Sequence, residues 1–455
     1  MTGNLEEVLG RFVQQRPVSV MARIAMERIL SPQWVDGVFA RTAAVQYTRT
    51  LLFSALFELM VYVVLRVKPS VHAAYQALGS IGVEVKSVYN KLGNVEPEVC
   101  AALVRESGRE AAQLILALGG QRQDWIAGHR VKVIDGNAIA ATEHRLKELR
   151  GMAAGPLPGK TIVVYDPALD AVINAFPCED GHAQERSLLD RVVSTIEKGD
   201  VQISDRNFCV GGFLRQIHQR GAFSIVRHHA NLPIHEISSL KKMGRSDAAW
   251  VYEQLVEIYV EGQCFALRCI VLRLSKATRD GDSELRVLTD VPRTVADALQ
   301  IANLYSRRWS IETAFQRLER DLHTELNTLG YPKAALFGFC VGLVAFNLMA
   351  IVYAALRAVH GHKKIDEEFS SYYLALELQG VREGMEVAIP QDSWRIYAEM
   401  PHPELVALLL HLAGKVNLAR FKKHPRGPKK PPQERRYDPS QPHVSTARLL
   451  DKRKK

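Results

Sequence analysis

From Ala335 to Leu356 the chain runs ALFGFCVGLVAFNLMAIVYAAL, 22 residues without a charged side chain, and no other stretch restricts the fold so tightly. A run of this length spans a bilayer or lies buried on every side, because a helix apolar all round has no face to offer water. Asn347 at its middle, the want of a second equally strong run and the polar amphipathic stretch before it favour a buried core helix. The shorter run LLFSALFELMVYVVL, from Leu51 to Leu65, contains Glu58 and reads as a second core helix. No membrane association is expected. At 455 residues and 47% hydrophobic content, the chain should form several globular units around these helices.

Six scattered cysteines without a C-x-x-C pair argue against a thiolate zinc site and a disulfide framework, and so for a reducing cytoplasm. The start, MTGNLEEVLGRF, is acidic where an export signal is basic. The net charge of +10 is local. Residues 415–455 hold 14 Lys and Arg against 3 acidic residues, a balance of +11, which leaves 45 against 46 elsewhere. This Pro-rich tail is too poor in apolar residues to fold alone. It reads either as a phosphate-binding arm or as a solubilising terminus.

Residues 1–126 have helical periodicity, and within them Val71 to Gly93 allows a helix-turn-helix with Lys86, Tyr89 and Lys91 on its second helix. A plain helical hairpin fits equally. After Gly128 the period falls to two: HRVKVIDGNAI, with its strand ending at Asp135, then KTIVVYD and ALDAVINAFP. A helix, the strand DVQISD ending at Asp205, another helix and the strand AFSIVRHH follow. Three strands and then alternating helix and strand is the order of a mixed α/β sheet of the ribonuclease-H-like kind. The expected units are 1–126 helical, with possible DNA-end recognition; 127–230 the first part of the core; 231–291 a β-rich insertion; 292–360 the second part of the core; 361–418 helical; and 419–455 a disordered basic tail.

The run LYSRRWSIETAFQRLERDLH, residues 304–323, predicts one helix. At about 100° per residue, Leu304, Ile311, Phe315, Leu318 and Leu322 share roughly 60° of arc, an apolar stripe. Arg308, Glu319, Glu312 and Tyr305 form a polar row along its border. A row so placed looks into a cleft, where Glu312 needs a cation, either Arg308 or a metal. Trp309 lies off the stripe and either stacks on DNA or covers the β insertion, the second being the favoured expectation. Asp135 and Asp205, each closing an apolar strand, stand where open α/β sheets bind ligands. Two strand-end acids and a helix acid make an oxygen cage suited to Mg²⁺ and to phosphodiester chemistry. The competing reading is ordinary: turn aspartates, with Asp166, Asp170, Asp200 and Asp290 as equal candidates, and a surface ion pair.

These pieces resemble the bacterial insertion-sequence transposases of the DDE type. Tyr305-x2-Arg308-x3-Glu312 matches the Y-x2-R-x3-E-x6-K signature, and VIDGN, ISDRNF and FSIVR resemble the family's first and second acid segments and the strand after them. The resemblance spans roughly Val131 to Leu356. It implies a ribonuclease-H-like core with a β insertion before the catalytic Glu, and Asp135, Asp205 and Glu312 as the metal-binding catalytic triad. Two Mg²⁺ ions are expected, with Mn²⁺ as a substitute. Tyr305 and Arg308 would contact transposon-end DNA, joined by the basic neighbours Arg320 and Arg206. The implied reaction is cut-and-paste transposition: cleavage at inverted-repeat ends, then attack of the freed 3′ hydroxyl on target DNA, by a homodimer on double-stranded DNA in the bacterial cytoplasm at the nucleoid. One position departs. The signature's Lys falls on Glu319, which leaves an inactive DNA-binding relative as the alternative.

Overall fold

The computed structural model describes residues 2–79, 81–139, 146–150, 155–278, 281–326, 328–424 and 443–454. Seven helices come first: α1 (Thr2–Gln15), α2 (Pro17–Ile29), α3 (Pro32–Thr42), α4 (Phe53–Val64), α5 (Val71–Ala77), α6 (Val85–Leu92) and α7 (Pro97–Leu118). Several begin at a Pro in the first turn, where no N–H is needed. Gly119 ends α7 in the left-handed region, at φ 69°. The helix-turn-helix candidate is α5 and α6, but Lys91 turns inward, its ammonium on the Leu51 carbonyl at 3.0 Å and over the Phe39 ring. Of the three residues named for the second helix, Lys91 is thereby engaged within the protein.

The strands are β1 (Val131–Ile139), β2 (Gly155–Leu157), β3 (Gly159–Asp166) and β4 (Ala171–Cys178). After the short helix α8 (Leu189–Val193) comes β5 (Val201–Ser204), then α9 (Gly211–Gln219) and β6 (Phe223–Arg227). The strands β7 (His235–Glu236), β8 (Lys241–Arg245), β9 (Ala249–Val260), β10 (Gln263–Leu274) and β11 (Glu284–Thr289) follow. All of these except β2 share one mixed sheet with the order β4-β3-β1-β5-β6-β11-β10-β9-β7, and β8 also pairs with β9. β3 is antiparallel to both β4 and β1, while β1, β5 and β6 are parallel. The expected meander followed by alternation is therefore present. The β-rich segment does more than sit beside the core, because β11 pairs with β6 and carries the same sheet onward.

Next come α10 (Ala298–Ser306), α11 (Trp309–Asp321), α12 (Pro332–His360), α13 (His362–Glu368), α14 (Ser371–Ala388), α15 (Ile396–Glu399) and α16 (His402–Gly414). The 29-residue α12 is the apolar run, long and apolar enough to cross a membrane, yet its most apolar window is wholly buried inside the protein. It packs against α2, α4 and α7, against β3 and β4, and against α13 and α16, so both ends of the chain meet on it. Asn347 is fully buried and explains the one amide in the run: its Oδ1 accepts from the Val172 N–H at 2.8 Å and its Nδ2 donates to the Val172 carbonyl at 2.7 Å. Val172 sits on β4, the edge strand of the sheet, so the side chain satisfies backbone groups that no further strand pairs.

Of the basic tail, residues 425–442 lie outside the described residues, while residues 443–454 take up regular structure in place of the expected disorder. His443–Ser445 forms β12, parallel to β2, and continues into α17 (Thr446–Lys454), while Ser445 and Arg448 bind Asp180 at 2.6 and 2.8 Å. Backbone pairing supplies the order that the apolar content of this segment cannot.

Candidate active site

β1 and β5 run parallel with Ile134 opposite Ser204, so Asp135 and Asp205 follow side by side on strands about 4.8 Å apart. β1 does not stop at Asp135, as the turn-compatible Gly-Asn had suggested. Its antiparallel partner β3 continues to Gly159 and holds it extended to Ile139. β5 does end, and Asp205 caps the turn by accepting from the Asn207 N–H at 2.8 Å.

The opening helix of the polar row is two helices. At Arg307 and Arg308 the backbone bonds shorten to three-residue spacing, from Arg308 N to the Tyr305 carbonyl and from Ile311 N to the Arg308 carbonyl. α10 thus ends at Ser306 and α11 begins at Trp309. Arg308 keeps right-handed helical angles, φ −49° and ψ −34°, so it still faces Glu312 one turn on. The apolar stripe holds, with Leu304, Ile311, Leu318 and Leu322 all buried. Trp309 does not cover the insertion; it is 63% exposed, with the Arg308 guanidinium 6.0 Å from its ring centre.

The path into α10 is fixed from the insertion. Buried Arg268 on β10 binds Glu253 at 2.7 Å and the carbonyls of Val291 and Ala296 at 2.7 and 2.8 Å. An Asp297–Gln300 capping box then starts the helix.

At the site, Arg308 joins the acids. Its Nη1 lies 3.3 Å from Asp135 Oδ2 and its Nη2 3.0 Å from Glu312 Oε1. Burial pushes the Asp135 carboxyl up to about 7; Arg308 and the Gly136 N–H pull it back, and Asp205 and Glu312 push it further. Burial also raises the Tyr305 phenol against the pull of Arg308. For Arg308 burial works against the charge, but Tyr305, Asp135 and Glu312 outweigh it and hold the guanidinium above its ordinary value. Arg206 is exposed beside Asp205. Arg320 is turned away from the carboxylates, on Asp321 at 2.7 Å and Ser371 at 2.5 Å.

One carboxylate here escaped the sequence reading. Glu185 lies so close to Gly136 that a Cβ on that glycine would collide with Oε1, and its Oε2 meets Asn207 at 3.4 Å. Burial and Asp205 raise its carboxyl, Lys160 and Asn207 opposing. Glu185 and Asn207 line a cavity of about 440 Å³ with Lys160, His182 and Asn231.

Three hard oxygen donors suit a divalent cation, and the Arg308 guanidinium already performs a cation's part between two of them. As placed, no three His, Cys, Asp or Glu side chains among the described residues are spaced to enclose an ion. Holding one requires the Arg308 side chain to give way.

Residues 126–348 match the transposase DDE domain family. The match takes in just under half of the chain: it begins just before β1, includes the insertion and ends within α12. Over 193 residues the chain is 24% identical to a protein of Sinorhizobium fredii named "Putative transposase y4zB", covering 42% of this chain and 52% of that one. The chain thus spans about half the length of that relative. A cryo-EM structure of a piggyBac transposase synaptic complex with hairpin DNA is 12% identical, with 86% of each chain covered and a TM-score of 0.39.

Proposed function

We propose that this protein is a DNA transposase that binds the inverted-repeat ends of an insertion sequence and carries out metal-dependent cleavage and strand transfer. The observation that carries the reading is the meeting of Asp135 and Asp205 on neighbouring parallel strands with Glu312, drawn to Asp135 through Arg308. A ribonuclease-H-like core is the finer reading of the sheet, supported by the antiparallel strands β4, β3 and β1 leading into a parallel β1-β5-β6 set.

In this reading Asp135, Asp205 and Glu312 hold two Mg²⁺ ions, or Mn²⁺ in their place. Bound cations would supply Lewis-acid activation and neutralise charge at the phosphate. Arg308 moves from the carboxylates to a phosphate oxygen when DNA arrives, exchanging one anion for another. Buried Tyr305 orients Arg308, and exposed Arg206 meets the backbone beside Asp205. The N-terminal helices and the basic tail hold flanking DNA, two copies of the chain act on paired ends, and the work is done in the bacterial cytoplasm.

The test is cleavage of DNA bearing the element's ends, with Mg²⁺. Asp135→Asn, Asp205→Asn and Glu312→Gln should each lower cleavage by at least about 10²-fold while binding of the ends survives. Wild-type rates in any one variant would remove that residue from the site.

A second reading, a silent DNA-binding relative, draws on Glu319. It stands exposed where the signature has Lys, and neither neighbouring arginine replaces the base: Arg317 points into the core onto Asp170, and Arg320 onto Asp321. Binding of the ends without any nicking by the wild-type protein would decide for it.

A further inference from the structure

Asp170, in the turn between β3 and β4, has φ 55° and is 1% exposed. Three guanidinium groups converge on it: Arg317 Nη2 at 2.6 Å, Arg357 Nη2 at 2.8 Å and Arg122 Nη1 at 3.0 Å. The Tyr165 hydroxyl donates at 2.6 Å. Arg122 and Arg357 also share Asp366, each at 2.9 Å. Buried ion clusters are poor sources of net stability, since an apolar packing of the same volume serves as well. What planar, forked donors on a fixed carboxylate do supply is direction.

The partners differ in what they belong to. Arg357 is on the buried α12, Arg122 follows α7, and Asp366 is on α13. Arg317 alone is on α11, five residues beyond Glu312. That separation is about 7.5 Å along the axis and about 140° around it, so the two side chains leave opposite sides of the helix. One side is tied to Asp135 through Glu312 and Arg308, the other to Asp170 through Arg317. On a helix about 10–12 Å across, a 20° roll moves a side-chain tip by about 2 Å, as much as a whole metal–oxygen bond.

We propose that Asp170 is a positioning residue for the reaction: through Arg317 it fixes the roll of α11 and with it the place of the Glu312 carboxylate. The proposal rests on the reading of Glu312 as a catalytic acid. It also accounts for Arg317, which lies near the signature's missing base yet cannot reach DNA from the core.

The test uses the full chain and Arg317→Met, which frees α11 while leaving Arg122 and Arg357 on Asp170. Mn²⁺ binding is titrated by electron paramagnetic resonance without DNA, and cleavage is measured against Mn²⁺ concentration. Arg382→Met is the control, a buried arginine on α14 paired with Glu386 and bonded to neither Asp170 nor the candidate carboxylates. The expected result is a rise of about tenfold or more in the Mn²⁺ concentration for half-saturation, with binding of end DNA within twofold of wild type and partial recovery in Arg317→Lys. Half-saturation in Arg317→Met equal to that of Arg382→Met, at a similar loss of melting temperature, would overturn the proposal. With Glu312→Gln inactive, that result sinks the positioning role alone. Wild-type cleavage by Glu312→Gln sinks the catalytic reading and this proposal together.

Discussion

Arg308 spans Asp135 and Glu312 at 3.3 and 3.0 Å with only 11% of its side chain exposed, so removing it touches both charge balance and DNA contact. Arg308→Met should reduce cleavage by about 10²-fold or more and weaken binding of the ends, read by fluorescence anisotropy. Unchanged binding across salt concentrations would deny the phosphate contact. Gly136→Ala probes the neighbouring acid: the added Cβ meets only the mobile end of Glu185, so melting should shift little while cleavage falls severalfold as Glu185 is displaced. Asp170 gives a pH signature. Burial would raise its carboxyl, but Arg317, Arg122 and Arg357 hold it far below the usual range. A depressed carboxyl contributes stability above the unfolded-state value of about 3.9 and loses it in more acid solution. The melting-temperature gap between wild type and Asp170→Asn should therefore stay constant from neutral pH to about 4 and narrow below that.

These residues were unequally visible in the sequence. Asp135 and Asp205 each follow a β-branched run, so local pattern marks them even though β1 continues past Asp135. Glu185 lies in EDGHAQERSLL, a polar stretch without period, and only the folded proximity to Gly136 gives it meaning. Asp170 looked like one turn aspartate among several because its partners Arg317 and Arg357 are 147 and 187 residues away.

At the scale of elements, the apolar run and the kinked pair α10–α11 teach opposite lessons. Length and uniform apolarity marked α12 as buried before any partner was known. Helical arithmetic could not see the break at Arg308, because a change to three-residue hydrogen bonding leaves side-chain periodicity almost intact over one turn. Asn347 is the residue on which α12 and β4 agree. Asn347→Leu keeps the volume but strands both the N–H and the carbonyl of Val172 in an apolar core, at about 1–3 kcal/mol for each group. Thermal unfolding should begin several degrees earlier, and an unchanged onset would mean that water replaces the amide. Gly120→Ala should be at least as damaging, since its Cβ would run into the backbone carbonyl of Ala354, which cannot swing aside.

At the scale of the molecule, helices from both ends gather on α12 and one sheet runs from the candidate site into the insertion, so the carboxylates sit on a frame built from the whole chain. The charge is distributed otherwise. Outside residues 415–455 basic and acidic residues nearly balance, and the tail is fastened to the frame by β12 on β2 and by Asp180. A chain cut after His424 loses 10 basic and 3 acidic residues, the strand β12, the helix α17 and the bonds of Ser445 and Arg448 to Asp180, none of which belongs to the main sheet, so its melting temperature should fall by no more than a few degrees. If the tail lies along DNA, each lost phosphate contact flattens the plot of log affinity against log salt by about 0.9. The cut chain should then show a slope shallower by several units and at least about tenfold weaker binding to arbitrary duplex at low salt, while Mg²⁺-dependent nicking at saturating DNA persists. An unaltered slope would assign the tail to solubility and leave DNA retention to Arg206, Arg308 and the N-terminal helices.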